Sequence, residues 1–219
     1  MATNVICVGK NYYEHAEEFA RSGFDASGKE AVPAVPIVFT KAAGSLADPF
    51  QPIDSTRDPT NSVDYEGELG VIIGKRCSKV KGATVFDHVF GYTIVNDVTA
   101  RTLQRRHRQW FIGKSLDGFC PVGPWVVTRD EMPDLYAQHM TTYVNGEQRQ
   151  QAPLNTMIFN VEQIVETVSA YMTLEPGDLI ATGTPAGVGI GFTPPRFLKP
   201  GDEVRIVISG IGELTNSVI

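Results

Sequence analysis

Two glutamates flank a glycine at Glu66-Gly67-Glu68, and the residues that follow, 69–74, read as a β-strand. On a strand, residues two apart point to the same face, so Glu66 and Glu68 aim their carboxylates at one point. Gly67 leaves the opposite face empty at that level, and Leu69, Val71 and Ile73 continue that face as a core-facing row. Two carboxylates this close repel unless a proton or a cation lies between them. A hard divalent cation is the usual occupant of a site made only of oxygen ligands. Asp97 is the natural third ligand, because it follows the apolar run Tyr92-Thr93-Ile94-Val95-Asn96, where a side chain can emerge at a sheet's end. Three anionic oxygens leave about three positions of an octahedral Mg²⁺ or Mn²⁺ for water and substrate.

Other groups suit the same chemistry. His15 and Glu18 are three apart in a helical stretch and share a face. A carboxylate beside an imidazole fixes its tautomer and raises its basicity, which suits a general base. Lys114, in Ile112-Gly113-Lys114-Ser115, could neutralise an enolate or a carboxylate. The glycine-rich stretch Thr182-Gly183-Thr184-Pro185-Ala186-Gly187-Val188-Gly189 follows a strand, and its backbone N–H groups could cradle a carboxylate or phosphate of a ligand. It lacks the Gly-Lys-Ser/Thr of a phosphate-binding loop. Of the basic residues 101–108, most read as a solvated helix face, whereas Arg101 and Gln104 are three apart and follow Asp97 closely enough to face the site.

The elements that must position these groups are short. Val5-Ile6-Cys7-Val8 reads as a buried strand ended by Gly9, with Cys7 in the core. Asn11 with Glu14 three residues on has the form of a capping box for a helix over residues 12–21, stopped near Gly23. Residues 22–36, rich in Gly, Ala, Ser and Pro, read as a loop. Strands are expected at Ile37-Val38-Phe39, at residues 92–97, 125–128 and 141–144, and at Leu179-Ile180-Ala181 and residues 204–208. Residues 85–90 fit helix or strand equally, and residues 99–109 have helical composition. Asn145-Gly146 is a strong hairpin signal. Asn160 with Gln163 forms a second capping box, opening a helix whose apolar stripe is Ile164, Val165, Val168 and Tyr171. Strands outnumber helices without a regular βαβ alternation, which favours an α+β or mostly-β fold over a doubly wound sheet.

A length of 219 residues sets one domain, 1–219, as the default. Apolar content of 42% with 20% charged residues is that of a soluble globular protein. A net charge of −6 argues against nucleic acid or an anionic membrane as partner, yet leaves room for a locally positive site that binds a small anion. Three scattered cysteines without a CxxC pair suggest reduced thiols and a cytoplasmic location. No signal peptide is read at the N-terminus, and no run approaches the ~18 apolar residues of a membrane span.

Taken in order, these segments resemble the fumarylacetoacetate hydrolase family. The matching stretches are Val8-Gly9-Lys10-Asn11-Tyr12 with His15 and Glu18, Tyr65-Glu66-Gly67-Glu68-Leu69, Asn96-Asp97-Val98-Thr99-Ala100-Arg101, Gly113-Lys114-Ser115 and the glycine-rich stretch from Thr182. The resemblance implies a rolled mixed β-sheet with few helices, usually a homodimer, and a mobile lid over about residues 12–36. It implies that Glu66, Glu68 and Asp97 hold Mg²⁺ or Mn²⁺, that His15 and Glu18 form a dyad on a helix closing over the substrate, and that Lys114 lies near the reacting centre. Arg101, Gln104 and Thr184 match substrate-contacting positions. Many relatives carry His where this chain has Tyr65. The implied activity is metal-dependent carbon–carbon hydrolysis of an acylpyruvate, in which His15 activates water and Lys114 stabilises developing charge. The same enolate-stabilising site permits oxaloacetate decarboxylation, keto–enol tautomerisation, or isomerisation of a hydroxydienoate.

Overall fold

The alternation of Leu69, Val71 and Ile73 with Glu68, Gly70 and Ile72 builds the central strand of the structure, a computed structural model that describes residues 4–25 and 31–219. In chain order the strands are β1 (Val5–Gly9), β2 (Ile37–Lys41), β3 (Leu46–Ala47), β4 (Val63–Asp64), β5 (Gly67–Ile73), β6 (Val89–Asn96), β7 (Thr99–Ala100), β8 (Cys120–Thr128), β9 (His139–Val144), β10 (Glu147–Pro153), β11 (Leu179–Ala181), β12 (Glu203–Ile208) and β13 (Gly212–Ser217). The α-helices are few and short: α1 (Tyr13–Arg21), α2 (Arg101–Arg106), α3 (Phe111–Lys114) and α4 (Val161–Tyr171). This is an α+β fold around a curled mixed sheet.

Seven strands hydrogen-bond in the order β2-β1-β11-β5-β6-β8-β3. β1 runs parallel to β11 and β3 parallel to β8, and the remaining pairs are antiparallel. An antiparallel sheet, β10-β9-β12-β13, lies against one face, and β4 with β7 forms a small ribbon. Between the two larger sheets, Leu69, Val71, Ile73 and Ile94 meet Met140, Val144, Val204, Ile206 and Ile208 in one apolar core. Burying each such side chain contributes roughly 1.5–3 kcal/mol. Opposite Glu66 and Glu68 the sequence suggested an empty face, and the structure fills it. A Cβ on Gly67 would stand 2.4 Å from the Thr142 hydroxyl and 3.1 Å from Ile206 Cγ2. Gly67 therefore lets the second sheet approach the strand backbone, and its N–H donates to Gln150 Oε1 at 3.1 Å.

Helix α4 forms as its capping box dictates. Asn160 Oδ1 accepts from the Gln163 N–H, and Gln163 Oε1 accepts from the Asn160 N–H, each at 2.9 Å. Ile164, Val165 and Val168 enter the core, but Tyr171 is 88% exposed. The helix ends at that residue, whose side chain projects into solvent. The ambiguous segment 85–90 divides: a 3₁₀ turn over Gly82–His88 hands on to β6. The helical composition of residues 99–109 yields only the six residues of α2, and residues 105–109 are exposed. The Asn145-Gly146 hairpin joins β9 to β10 with φ of 53° and 78°, the pairing a type I′ turn requires.

At the front of the chain the expected cap is replaced by something else. Asn11 does not cap α1: the N-cap is Tyr12, with no side-chain hydrogen bond. Asn11 is buried instead, donating to the carbonyls of Phe159 (2.9 Å) and Thr182 (2.7 Å) and accepting from the Phe159 N–H (2.7 Å). A fully bonded buried amide ties the β1–α1 junction to two distant segments, which serves better than one exposed cap. Helix α1 ends at Arg21, followed by Gly23 with φ of 77°. Of the lid expected over residues 12–36, the part at 26–30 lies outside the described residues. No helix among the described residues is long and apolar enough to cross a membrane.

Candidate active site

The start of β5, the end of β6 and the end of β2 meet beside the start of α1 and the two short helices after β7. β5 opens one residue after Glu66, and the Asp97 N–H donates to the Glu66 carbonyl at 2.9 Å, which locks the acids at the strand ends together. The carboxylates of Glu66, Glu68 and Asp97 each offer an oxygen within 4.8 Å of the others, and all three residues are buried. The sequence spacing thus brings together the two glutamates and the distant aspartate as expected.

Around them stands a network of buried cations. Lys114 Nζ bridges Glu66 Oε2 and Asp97 Oδ2, both at 2.7 Å. Arg101 holds Glu66 Oε1 at 2.7 Å through Nη1 and Asp64 Oδ2 at 2.8 Å through Nε. Lys41 Nζ donates to Asp97 Oδ1 at 2.6 Å and to the Val98 carbonyl at 3.0 Å. Sequence reading did not find Lys41 or Asp64. Lys41 carried the same signal as Asp97, a charge closing an apolar strand, and Asp64 stands two residues before Glu66 in an acid-rich run.

The electrostatics single out Glu68. Burial alone would raise the Glu66 carboxyl, but Lys114 and then Arg101 overcome it and hold the pKa down at about 2. Burial, then the charges of Asp97 and Glu66, push Glu68 well above the usual carboxylate range. Its Oε2 accepts from the Gly183 N–H at 2.7 Å, but no lysine or arginine among the described residues pairs with it. Burial lowers the Lys114 pKa, and the charges of Asp97 and Glu66 reverse this, leaving the ammonium above its ordinary value. Four buried acids (Asp64, Glu66, Glu68 and Asp97) cluster here, and Lys41, Arg101 and Lys114 pair with all of them but Glu68. Three carboxylates converging on one point, one of them without a cationic partner, form an all-oxygen donor set that fits a hard divalent cation.

His15 and Glu18 form the expected dyad. Nδ1 of His15 lies 3.1 Å from Glu18 Oε2, and Glu18 Oε1 accepts from the Gly187 N–H at 3.0 Å. With Nδ1–H donated to Glu18, Nε2 is the basic nitrogen. His15 is buried and lines the same cavity as Glu66, Glu68, Arg101, Gln104, Lys114 and Thr184. Arg101 Nη2 is buried without a hydrogen-bond partner among the described residues. Thr184 Oγ1 donates to the Gly67 carbonyl at 2.9 Å and accepts from Gln150 Nε2 at 2.7 Å, so its hydroxyl also holds the strand. Phe19, Phe39 and Trp110 form the apolar walls. The space they enclose is about 20 Å³, close to the volume of a single water. A larger groove of about 720 Å³ beside Tyr92, Arg129 and Tyr136 contains none of the clustered acids.

The glycine-rich loop cradles carboxylates, as its composition suggested, but they are the protein's own rather than a ligand's. Gly183 serves Glu68, Gly187 serves Glu18, and the N–H groups of Gly189 and Ile190 serve Asp64 at 2.6 and 3.1 Å. Tyr65 donates its hydroxyl to the Gly187 carbonyl at 2.8 Å. Cys7 and Cys120 are buried near the acids, and burial raises both thiols, Cys120 to about 12. Neither is a nucleophile in that state.

Comparison with known proteins agrees with this arrangement. The family model described as fumarylacetoacetate (FAA) hydrolase C-terminal matches residues 4–219. Oxaloacetate tautomerase YisK of Bacillus subtilis (strain 168) is 49% identical over 216 residues, covering 98% of this chain and 69% of that protein. The solved fumarylacetoacetate hydrolase (EaFAH) of Exiguobacterium antarcticum superposes with a TM-score of 0.86 at 49% identity, covering 98% of this chain and 74% of that one. A 2-hydroxyhepta-2,4-diene-1,7-dioate isomerase from Mycobacterium marinum gives a TM-score of 0.82 at 42% identity, covering 100% of this chain and 75% of that one.

Proposed function

Because the chain belongs to the fumarylacetoacetate hydrolase family, a family of enzymes, we propose that it is a divalent-metal-dependent keto–enol tautomerase of 2-oxo acids, with oxaloacetate as the leading substrate. The observation that carries the reading is the cluster of Glu66, Glu68 and Asp97, whose two glutamates line one cavity with His15, itself paired with Glu18. The likeness to a protein named oxaloacetate tautomerase supports the choice among the family's reactions.

Glu66, Glu68 and Asp97 would hold Mg²⁺ or Mn²⁺, which when bound supplies Lewis-acid polarisation of the substrate's oxygens. The protein's own groups do the rest. The Arg101 Nη2 that lacks a partner meets the substrate's C1 carboxylate, aided by Gln104. His15 Nε2 takes a proton from C3 and returns it to oxygen, while Glu18 holds the ring and stabilises the imidazolium. Lys114 places positive charge near the oxygen where the enolate develops. The narrow cavity implies that α1, which carries the dyad, withdraws to admit substrate.

Hydrolysis of an acylpyruvate is the second reading, and the dyad favours it. An imidazole backed by a carboxylate beside a cation site can equally take a proton from water, whose hydroxide attacks a distal carbonyl. A panel of oxaloacetate, acetylpyruvate, fumarylpyruvate and a hydroxydienoate with Mg²⁺ decides between them. Accelerated oxaloacetate enol–keto exchange without acid release supports tautomerisation. Stoichiometric pyruvate and carboxylic acid from an acylpyruvate, without that exchange, would replace it.

A further inference from the structure

Lys10 is the cavity residue that the proposed mechanism leaves without a task. It follows β1 directly, is 2% exposed, and lines the same cavity as His15, Glu66 and Glu68. Its φ is 55°, a left-handed conformation that a lysine adopts at a cost. Gly9 beside it has no Cβ because Trp110 occupies that space, at 2.4 Å from where the Cβ would be. The β1–α1 turn is thereby pressed under an aromatic wall with the lysine directed inward. Lys10 Nζ lies 5.7 Å from the Phe19 ring centre, and the Arg101 guanidinium lies 6.0 Å from the same centre. Two cations thus reach one aromatic wall of the cavity from different elements. Asp25, just beyond α1, accepts from Lys10 Nζ at 2.6 Å with both side chains at most 9% exposed.

We infer that Lys10 is a specificity residue for the far carboxylate of a 2-oxo diacid, and that Asp25 competes with that carboxylate for the ammonium. The inference deepens the proposed function and rests on it for the placing of the 2-oxo acid end at Arg101. An ammonium has three donors in a compact head, so it can turn from one carboxylate to another or serve both. A buried ammonium facing an uncharged substrate tail keeps Asp25, whereas a charged tail gains a strong ion pair. The substrate class selected is therefore a 2-oxo acid with a second carboxylate, over one ending in a methyl group.

Binding calorimetry on the Mg²⁺-loaded full chain, with the ligand recovered and checked for loss of CO₂, tests this without tautomerisation. The probes are 3,3-difluorooxaloacetate and 3,3-difluoro-2-oxobutyrate, which have no C3 hydrogen and differ in carboxylate against methyl. The wild type is expected to prefer the diacid by about tenfold or more. Lys10→Asn, a residue suited to positive φ, should reduce that ratio to about one, and Lys10→Met should do the same. Asp25→Asn, which leaves Lys10 in place, should widen the ratio. A wild-type ratio near one, or a ratio unchanged in both Lys10 variants, would overturn the inference. A preserved diacid preference in a protein that fails to exchange oxaloacetate would instead defeat the tautomerase reading and leave the Lys10 assignment standing.

Discussion

The two faces of β5 do opposite work. On one, Leu69, Val71 and Ile73 pack against β9 and β12 and are at most 1% exposed. On the other, Glu68, with Glu66 just before the strand, enters a cluster of buried charges. Period-two geometry places stability and chemistry on alternate residues of a single strand. The apolar face is held by many weak contacts that any similar residue could share. The charged face is held by a few strong ones, and each carboxylate there has a different environment. Glu66 is pinned by Lys114 and Arg101, whereas Glu68 has a single backbone donor.

Substitutions along this strand test that division. The largest effect is expected from Glu68→Gln, which removes the carboxylate without a cationic partner. Activity should fall by about a thousandfold and Mg²⁺ binding by calorimetry should disappear. Urea unfolding in EDTA should show no loss of stability, because a glutamine there need not carry buried charge. Leu69→Ala on the other face should do the reverse. It should cost about 3 kcal/mol in urea unfolding while kcat of the folded protein stays near wild type. Gly67→Ala is on the apolar face but between the two glutamates in sequence, and its Cβ would push Thr142 and Ile206. It should cost about 2 kcal/mol and lower activity together, blurring the division where the second sheet comes up against the backbone between the two glutamates.

The smallest effect is a pH slope that appears only in acid. The folded pKa of Glu66 is about 2 against an ordinary 4.5, so its contribution to stability is complete above the ordinary value and is lost as pH falls through the folded one. Wild-type urea midpoints, in EDTA, should therefore drop between about pH 4.5 and pH 2, with Glu66→Gln lacking that part of the slope. A variant with the same acid slope as wild type would show that Lys114 and Arg101 do not stabilise the Glu66 carboxylate.

Much of the site could be read from the sequence because its signals are local. The Glu66-Gly67-Glu68 spacing needs only strand geometry, and His15 with Glu18 needs only a helix. Asp97 needed the guess that an acid ending one strand meets acids starting another, which β5–β6 pairing fulfils through Gly67 opposite Asn96. What escaped was set by contacts distant in sequence. Asn11 has the form of a helix cap, yet buried carbonyls of Phe159 and Thr182, which no local pattern announces, compete for its amide. Gly67 looked like an absence and is a close approach, visible only once β9 is in place. The glycine-rich loop advertised donors without saying whose carboxylates would take them. Lys41 is an ordinary strand-ending lysine until β2 is placed near Asp97.

The central claim is that three acids around one dication make a 2-oxo acid lose and regain a proton at His15. Oxaloacetate enol–keto exchange, followed spectroscopically with the exhaustively chelated protein and again after Mg²⁺ is restored, tests it most directly. The account predicts exchange at the uncatalysed rate after chelation, full recovery with Mg²⁺, and no recovery in Glu68→Gln. Undiminished exchange in the chelated protein would contradict it.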